Sequence, residues 1–400
     1  MSNFYFDGLE PNPPDRIDCR PEKEIITLLD KFTPVESERN LWMFWDRGFS
    51  SMPPWIQRSV VNCFRREGKR WNIRLLNNLP GSSNYILNYV QEEDFPAAAT
   101  GKGIAGLDAG QHIADFARLA VIYRYGGIYM DAGILLLRDL DDICWSALKD
   151  PEAPFTVSCM AQQMGRYPGQ VLNGFIAARK HDLFIRRWQQ IFLKIWQDRE
   201  SAVGLNTHPL ISHLPLLQIN APSIPPGADW VNFTDYLAQV QAFERVRLNR
   251  ETGVDGLDGP AYFRRNFYLL DARTEMFIGQ AFDGAEQVLR LLLLSKVDDG
   301  TSQNVKDQEE ASRFVHDMLA RSSCCKFSSG TGRLGLKRLV AKHWSLAEHA
   351  GDDSQPGTWG EYLRWGSVHL RQTRDIARFE VPDDVGIITH VGPFEPVLKR

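Results

Sequence analysis

The chain has 400 residues, of which 43% are hydrophobic and 24% are charged, and its formal net charge is -4. This composition is typical of a globular protein with one sizeable core, and the slight acidity argues against nucleic acid as a partner. The longest apolar run, Leu291–Leu294, is far too short for a bilayer span, so we expect no integral membrane segment.

The first part of the chain alternates between predicted strands and helices. Residues 1–38 are rich in proline and are predicted to form an N-terminal arm with a short helix at 24–31. A strand is predicted at 40–45, an amphipathic helix from Pro54 to Glu67, and a second strand at 71–76. This strand, helix, strand order predicts a parallel sheet.

One nearly all-apolar helix follows, at 113–123. Its only charged side chains, Asp115 and Arg118, are three residues apart and therefore share one face. A carboxylate there can accept hydrogen bonds from sugar hydroxyl groups, and a guanidinium can hold oxyanions. The alternative is a simple ion pair within the helix.

A glycine pair, Gly126 and Gly127, is predicted to end this helix and to begin a short buried strand at 128–130. Asp131 stands where that strand stops. In open α/β sheets the carboxyl ends of the strands are where ligands bind, so Asp131 is a candidate site residue. The alternative is an acid that caps a turn.

The remaining elements complete one elaborated domain. The predicted strands are 155–160, 175–178 and 385–391, residues 134–137 continue the apolar run, and the predicted helices are 181–197, 284–296, 308–321 and one that begins in 137–145. Residues 199–265 are rich in proline and glycine, and are predicted to form an acceptor-binding or lid insertion. Because there is no internal repeat, residues 39–400 are predicted to be a single catalytic domain.

The stretch ADFARLAVIYRYGGIYMDAG, residues 114–133, resembles the signature D-x-x-R…Y-x-x-G-G-x-Y-x-D of glycosyltransferases with the GT-A fold. The capsular polysaccharide synthesis proteins and the DXD sugar transferases of glycosyltransferase family 32 are the groups it is most similar to. The resemblance implies an α/β, Rossmann-like fold for nucleotide-sugar binding, with a mostly parallel central sheet and added helices. It also implies that the protein transfers a sugar from a nucleotide sugar, with UDP as the favoured nucleotide, to a small-molecule, lipid or glycan acceptor.

The resemblance also assigns residues to the donor sugar. It places Asp115 and Arg118 on the sugar hydroxyl groups, and Tyr129 and Asp131 at the ribose and the diphosphate. Asn173, in VLNGFIAA, matches a strand start that lies close to the transferred sugar in this group. The structural alternatives are a core position for Tyr129 and a strand-entry turn for Asn173.

Two residues are candidates for the nucleoside. Trp45 matches the position where the similar glucosylating toxins place a tryptophan against uracil, and such stacking needs a flat π face. Trp45 as ordinary core is the alternative, since aromatic residues alternate along this strand. Asn77, with its neighbour Asn78, follows the second strand and is a candidate for the ribose, although asparagine is also frequent in turns.

A divalent metal ion, Mn²⁺ or Mg²⁺, is implied by the family's usual D-x-D. Here the stretch reads Asp131-Ala132-Gly133, so the second acid is absent and metal binding at Asp131 is expected to be weak. Asp139-Leu140-Asp141 has the D-x-D spelling but lies past the strand end, where capping of the next helix is the better explanation.

The resemblance offers a second metal ligand near the C-terminus. His349, followed by Pro356 and Trp359, is similar to a late histidine that contacts the metal or the β-phosphate in several GT-A enzymes. His343 is the competing histidine, and Lys342 or Arg364 are alternative sources of positive charge for the phosphates.

Mechanism and location are also predicted. The sequence presents no dedicated general base, which fits a retaining transfer in which the leaving phosphate assists deprotonation of the acceptor, as the resemblance implies. A sugar-nucleotide hydrolase and a binding protein without turnover are the alternatives. The six cysteines lack C-x-x-C spacing and suggest free thiols, and with the lack of a signal peptide they predict a cytoplasmic protein.

Overall fold

A computed structural model of the protein describes residues 7–101, 103–164, 167–219, 224–279, 284–296, 302–328, 330–334, 339–381 and 386–397. Within these residues the strands are β1 (Leu9–Pro11), β2 (Asn40–Phe44), β3 (Asn72–Leu76), β4 (Gly127–Met130), β5 (Ile134–Leu136), β6 (Val157–Met164), β7 (Tyr167–Ala178), β8 (Phe267–Asp271), β9 (Cys324–Lys326) and β10 (Leu370–Gln372).

The α-helices in the same ranges are α1 (Glu22–Leu29), α2 (Pro54–Glu67), α3 (Ala97–Thr100), α4 (Ala109–Tyr125), α5 (Ser146–Lys149), α6 (Leu183–Trp196), α7 (Trp230–Tyr236), α8 (Ala238–Arg247), α9 (Gly259–Asn266), α10 (Ala272–Glu275), α11 (Ala285–Leu293), α12 (Ser302–Arg321), α13 (Val340–Trp344) and α14 (Trp359–His369).

A six-stranded sheet in the order β3-β2-β4-β7-β6-β8 forms the centre of the molecule. The pairs β2–β3, β2–β4 and β6–β8 are parallel, whereas β7 runs antiparallel to both of its neighbours. Five of the six strands therefore run in one direction. The prediction of a mostly parallel α/β sheet of the GT-A type is confirmed.

Both faces of the sheet are covered by helices, as the alternate side chains of β2 show. Leu41 and Met43 pack into the core on one face, and Trp42 and Phe44 pack into the core on the other. All four are buried, because a parallel sheet that is covered on both sides needs apolar residues at every position of its inner strands. The strand therefore reads as a continuous apolar run rather than as an alternating one.

The glycine pair predicted to end the long helix does so. The helix α4 ends at Gly126, which has a φ of 69°, and Gly127 follows with a φ of 102°. A side chain at Gly127 would also collide with the carbonyl oxygen of Asn40 on β2. Only glycine meets both demands, and the tight turn brings β4 directly beside β2.

Two small sheets connect distant parts of the chain. β5 pairs antiparallel with β9, with Ile134 opposite Lys326. β1 pairs antiparallel with β10, and Ile25 and Leu29 of α1 are buried in the core. The residues assigned to an N-terminal arm thus pack on the body of the molecule where they are described.

Several local predictions need correction. The segment 385–391 is not a strand, since only Thr389 forms an isolated bridge, with Asn249, and Val385 lies outside the described residues. The helix that begins in 137–145 starts as a π-helix at Asp141–Trp145. Within the apolar run 134–137, residues Ile134–Leu136 form β5, which pairs with β9 outside the central sheet.

Two further observations bear on the predicted class of protein. All six cysteines are free thiols, as predicted, and five of them are buried. In the described ranges, none of the helices combines the length and the apolar character that crossing a bilayer requires.

Candidate active site

A cavity of about 400 Å³ opens where β2 and β4 end, and reaches into the middle of β7. Its polar and charged lining consists of Asp46, Gln111, Asp115, Arg118, Tyr129, Asp131, Gln162, Asn173, Tyr236, Lys326 and Ser328. Phe44, Trp45, Ile56, Leu172, Ile219, Phe233, Leu237, Met276 and Phe277 supply most of its apolar wall. The cavity lies at the carboxyl ends of parallel strands, where α/β sheets bind their ligands.

Arg118 is the centre of the polar floor. Its Nη2 lies 3.0 Å from Asp115 Oδ1 and 3.5 Å from Asp131 Oδ1, and its Nη1 donates to the Asn173 carbonyl oxygen at 2.5 Å. The guanidinium stands 4.7 Å from the ring centroid of Tyr129. All five residues that the sequence assigned to the nucleotide-sugar donor therefore lie together. Asp115 and Arg118 come from α4, Tyr129 and Asp131 from β4 and its end, and Asn173 from β7.

Asn173 is held by an amide network. Its Nδ2 donates to Asp115 Oδ1 at 3.1 Å and to Gln239 Oε1 at 2.9 Å. The Gln239 side chain in turn donates to the Asp115 carbonyl oxygen. Because each polar group fixes the next, the floor of the cavity is organised before any ligand binds.

Asp131 carries a second cation contact, to Lys326. The Lys326 Nζ lies 2.5 Å from Asp131 Oδ2, and the side chains of Lys326 and Asp131 are 17% and 27% exposed. Burial alone would raise the pKa of Asp131, but the charges of Lys326 and Arg118 outweigh it and lower that pKa below its usual value. The carboxylate therefore stays ionised and paired at neutral pH.

The surroundings of Asp131 fit a divalent cation poorly. The position of the family's second acid is Gly133, whose added Cβ would stand 3.1 Å from Cη2 of the Trp55 ring. Within the described residues, Asp131 is the carboxylate that follows the end of β4, and it already faces two cations, Arg118 and Lys326. Mg²⁺ and Mn²⁺ need several oxygen ligands around one point, and this corner supplies an ammonium group instead.

The structure does not bring His349 to Asp131. His349 Nδ1 and His343 Nε2 both lie 2.9 Å from Asp352 Oδ2, and the two rings stack with centroids 3.7 Å apart. These donor atoms lie close enough together to hold a metal ion, but none of the three residues is in the cavity lining described above. The assignment of His349 to the diphosphate metal stays a prediction.

The other C-terminal candidates are also occupied elsewhere. Trp359 Nε1 donates to Gln308 Oε1 at 2.8 Å, at the start of α14. Arg364 is buried and pairs with Asp353 at 2.5 Å. Neither they nor Lys342 belong to the lining of the cavity.

The two nucleoside candidates are placed differently. Trp45 lines the cavity, is half-buried, and donates from Nε1 to Ser51 Oγ at 3.0 Å. Asn77 lies outside the lining, and its side chain bonds to Ser82 Oγ and the Leu79 amide. Local hydrogen bonds in a turn thus occupy both the Nδ2 and the Oδ1 of Asn77. The Trp45 ring, in contrast, lines the cavity.

The D-x-D spelled by Asp139 and Asp141 is structural, but not through capping. Asp139 is buried between Arg66 and Arg70, each 3.0 Å away, and Asp141 pairs with Arg39 at 2.5 Å. The π-helix that follows has no side-chain cap hydrogen bond. These acids anchor α2 and the neighbouring chain by ion pairs.

Sequence reasoning missed several residues of the site, among them Asp46, Tyr236 and Lys326 of the lining, and Gln239, which holds Asn173. Asp46 follows the end of β2 by two residues and Asp131 directly follows β4, so the same strand-end argument would have found Asp46, whose buried Oδ1 has no hydrogen-bond partner among the described residues. The other three come from helices and a strand far along the chain. Burial, together with the negative charge of Asp115 and Asp131, raises the pKa of Tyr236, which keeps its hydroxyl group neutral.

Known proteins similar to this chain are glycosyltransferases. The profile of the capsular polysaccharide synthesis protein family matches residues 19–206. The chain is 38% identical to the O-glycosyltransferase braB of Annulohypoxylon truncatum, over 97% of this chain and 93% of that protein. It is 35% identical to the O-glycosyltransferase PaGT of Phomopsis amygdali, over 97% and 96% of the two chains.

Solved structures give weaker matches. The PaToxG glycosyltransferase is 15% identical, with a TM-score of 0.27 over 44% of this chain and 66% of that one. The WbbM bifunctional glycosyltransferase is 9% identical, with a TM-score of 0.33 over 84% and 53% of the two chains. These scores carry no argument about the site. Because named relatives at this level of identity extend over nearly the whole chain, the protein belongs to the same family of glycosyltransferases as these relatives, and its residues 19–206 match the capsular polysaccharide synthesis profile.

Proposed function

We propose that the protein transfers a sugar from a nucleotide sugar, with UDP as the nucleotide, to a hydroxyl oxygen of an acceptor. The observation that carries this proposal is the network around Arg118, which joins Asp115, Tyr129, Asp131 and Asn173 on the floor of one cavity. Two relatives are named O-glycosyltransferases, which supports an oxygen acceptor.

The donor pose follows from the chemistry of the lining. The Trp45 ring offers a flat surface to the base, and the unpartnered Oδ1 of Asp46 beside it can accept from a ribose hydroxyl group. The Asp115 carboxylate and the Asn173 amide supply hydrogen bonds for the sugar. Trp45 directly follows β2 and Asp131 directly follows the neighbouring strand β4. With the base on Trp45, the diphosphate therefore lies near Arg118 and Asp131.

The acceptor enters along the apolar wall. Leu172, Phe233, Leu237 and Phe277 belong to the apolar lining of the cavity. An apolar wall with a few polar groups is typical of small-molecule sites. This wall suits a small molecule or lipid with apolar surface next to its hydroxyl group better than it suits a long polar glycan.

Retention of configuration is part of the proposal. The cavity lining described above contains three carboxylates, and Asp115 and Asp131 are both paired with cations. Asp46 lies next to Trp45, at the nucleobase end of the proposed pose. An inverting enzyme needs a base within hydrogen-bond reach of the acceptor hydroxyl group. The leaving diphosphate is therefore the group expected to take the acceptor proton.

Proton NMR of the first product tests the proposal. The protein is incubated with UDP-sugars or GDP-sugars, with and without a panel of hydroxylated acceptors, and the anomeric coupling is read before mutarotation. Acceptor-dependent release of UDP and an α-linked product from an α-linked donor are expected. A β-linked product would contradict retention, and release of UDP that needs no acceptor would favour a sugar-nucleotide hydrolase.

The cellular location forms the last element of the proposal. Six free thiols, five of them buried, favour a reducing compartment such as the cytoplasm. Fractionation of the producing cells, with the activity followed in each fraction, tests this directly.

A further inference from the structure

Lys326 reaches the donor site from outside the central sheet. It is the last residue of β9, and the antiparallel register with β5 places it opposite Ile134, three residues after Asp131. This register aims the side chain at the end of β4, where Nζ meets Asp131 Oδ2 at 2.5 Å. The ammonium group lines the cavity and is 17% exposed, so it can contact a ligand.

A glycine on β7 leaves the space that this ion pair occupies. A Cβ added at Gly174, on β7, would lie 2.8 Å from both Asp131 Oδ2 and Lys326 Nζ. Glycine at this position therefore keeps open the slot in which the two charged groups meet. On the other side, Trp55 leaves little room for a side chain at Gly133.

We propose that Lys326 supplies the positive charge that neutralises the leaving diphosphate, so that transfer proceeds without a bound divalent cation at Asp131. This inference rests on the proposed nucleotide-sugar donor. The poor fit of this corner to a metal ion and the fixed position of the ammonium group lead to the same conclusion. Asp131 then acts as a positioning residue, because it holds Lys326 and Arg118 toward the diphosphate.

The chemistry balances without a further reactant. The bond between C1 of the sugar and the diphosphate oxygen breaks, and its electron pair stays on that oxygen. A bond forms between C1 and the acceptor oxygen, whose proton passes to the diphosphate. Lys326 donates hydrogen bonds to the developing negative charge, as preorganised cations do in other phosphate-leaving reactions.

Calorimetry of UDP and uridine in the presence of EDTA tests the inference. Wild-type protein is expected to bind UDP in EDTA, and Lys326→Met is expected to weaken UDP by about 10–100-fold, the scale of a lost charge-assisted contact. Uridine has no phosphate, so its affinity should be the same in both proteins. Lys326→Arg, which keeps the charge, should retain more of the UDP affinity than Lys326→Met.

The matched control is Lys194→Met, which makes the same chemical change on α6, where Lys194 bonds only to the nearby Gln197 in the contacts described. It should bind UDP and uridine as the wild type does. If Lys326→Met does not fold, Lys326→Gln keeps a polar side chain, and the ratio of UDP to uridine affinity in that variant decides the question.

Turnover gives a second measurement. EDTA should leave wild-type transfer almost unchanged, and Lys326→Met should lower kcat by roughly 100–1,000-fold, as removal of one preorganised donor does elsewhere. UDP binding or transfer that disappears in EDTA and returns with Mn²⁺ would overturn the role of Lys326, as would unchanged UDP affinity in Lys326→Met. Failure of the wild type to bind either UDP or uridine under any condition would instead contradict the nucleotide-sugar donor itself.

Discussion

Replacing Asp131 by asparagine should lower turnover much more than it lowers the free energy of unfolding. Asp131→Asn keeps the shape of the side chain but removes the charge that holds Lys326 at 2.5 Å and Arg118 at 3.5 Å. Breaking a fully buried pair costs about 3–5 kcal/mol. Because Asp131 is 27% exposed and Arg118 keeps Asp115 as a partner, we expect a smaller loss, about 1–3 kcal/mol in the free energy of unfolding.

Turnover should fall much further than stability. With Asp131 neutral, Lys326 is no longer held toward the diphosphate and Arg118 loses one of its partners, and loss of such preorganisation costs about 100–1,000-fold in kcat. Steady-state release of UDP in the presence of an acceptor measures this, and urea unfolding measures the stability. The fold should remain intact, since β4 keeps both of its neighbours.

Asp141→Asn is the matched control. Asp141 is 17% exposed and pairs with Arg39 at 2.5 Å, but it lies outside the cavity lining. This variant should lose a similar amount of stability and keep its turnover. Near wild-type turnover in Asp131→Asn, or an equal loss of turnover in Asp141→Asn, would refute the role assigned to Asp131.

The pH dependence provides an independent check. The folded protein lowers the pKa of Asp131, so the ion pair adds stability above the ordinary aspartate pKa of about 3.9. That contribution is lost as the pH falls through the lower, folded value. The difference in unfolding free energy between wild type and Asp131→Asn should therefore be constant near neutral pH and shrink below about pH 4.

Substitutions at three further positions test the rest of the site. Trp45→Ala should weaken UDP by about 1–3 kcal/mol while Trp45→Phe keeps much of the affinity, and equal losses of affinity and melting temperature in both would mark Trp45 as core. Gly133→Asp should cost about 1–3 kcal/mol of stability against Trp55, and Gly133→Ala should cost about the same. Only the aspartate should make UDP affinity respond to Mn²⁺ in a calorimetric titration. Asp46→Asn should reduce the ratio of the affinity for UDP to the affinity for its 2′- and 3′-deoxy analogues. An unchanged ratio would contradict a contact between Asp46 and the ribose.

The residues that the sequence assigned to the donor lie together in the structure, because four of the five are close in sequence. Asp115, Arg118, Tyr129 and Asp131 lie within 17 consecutive residues, on one helix, one turn and one strand whose periods are readable. The helix α2 begins and ends where proline and the apolar pattern predicted. These features depend on short-range rules of backbone conformation and burial.

Lys326 and Gln239 were missed for the opposite reason. Each reaches the cavity through pairing or packing with residues more than 100 positions away, and the sequence around each contains no pattern that predicts this. The strand β8, which was not predicted, and the wrong strand at 385–391 show the same limit. Apolar residues alone do not decide whether a segment finds a neighbouring strand.

The long separation between Asp131 and Lys326 has a consequence for how the protein is made. The two residues are 195 positions apart, so a ribosome has released β2, β3 and β4 long before it adds the lysine. Since N-terminal segments fold first during synthesis, Asp131 has Arg118 as a counterion early but gains its second counterion, Lys326, only when β9 emerges and pairs with β5. Affinity for UDP would then be among the last properties that a nascent chain acquires, which makes it a useful reporter of complete folding.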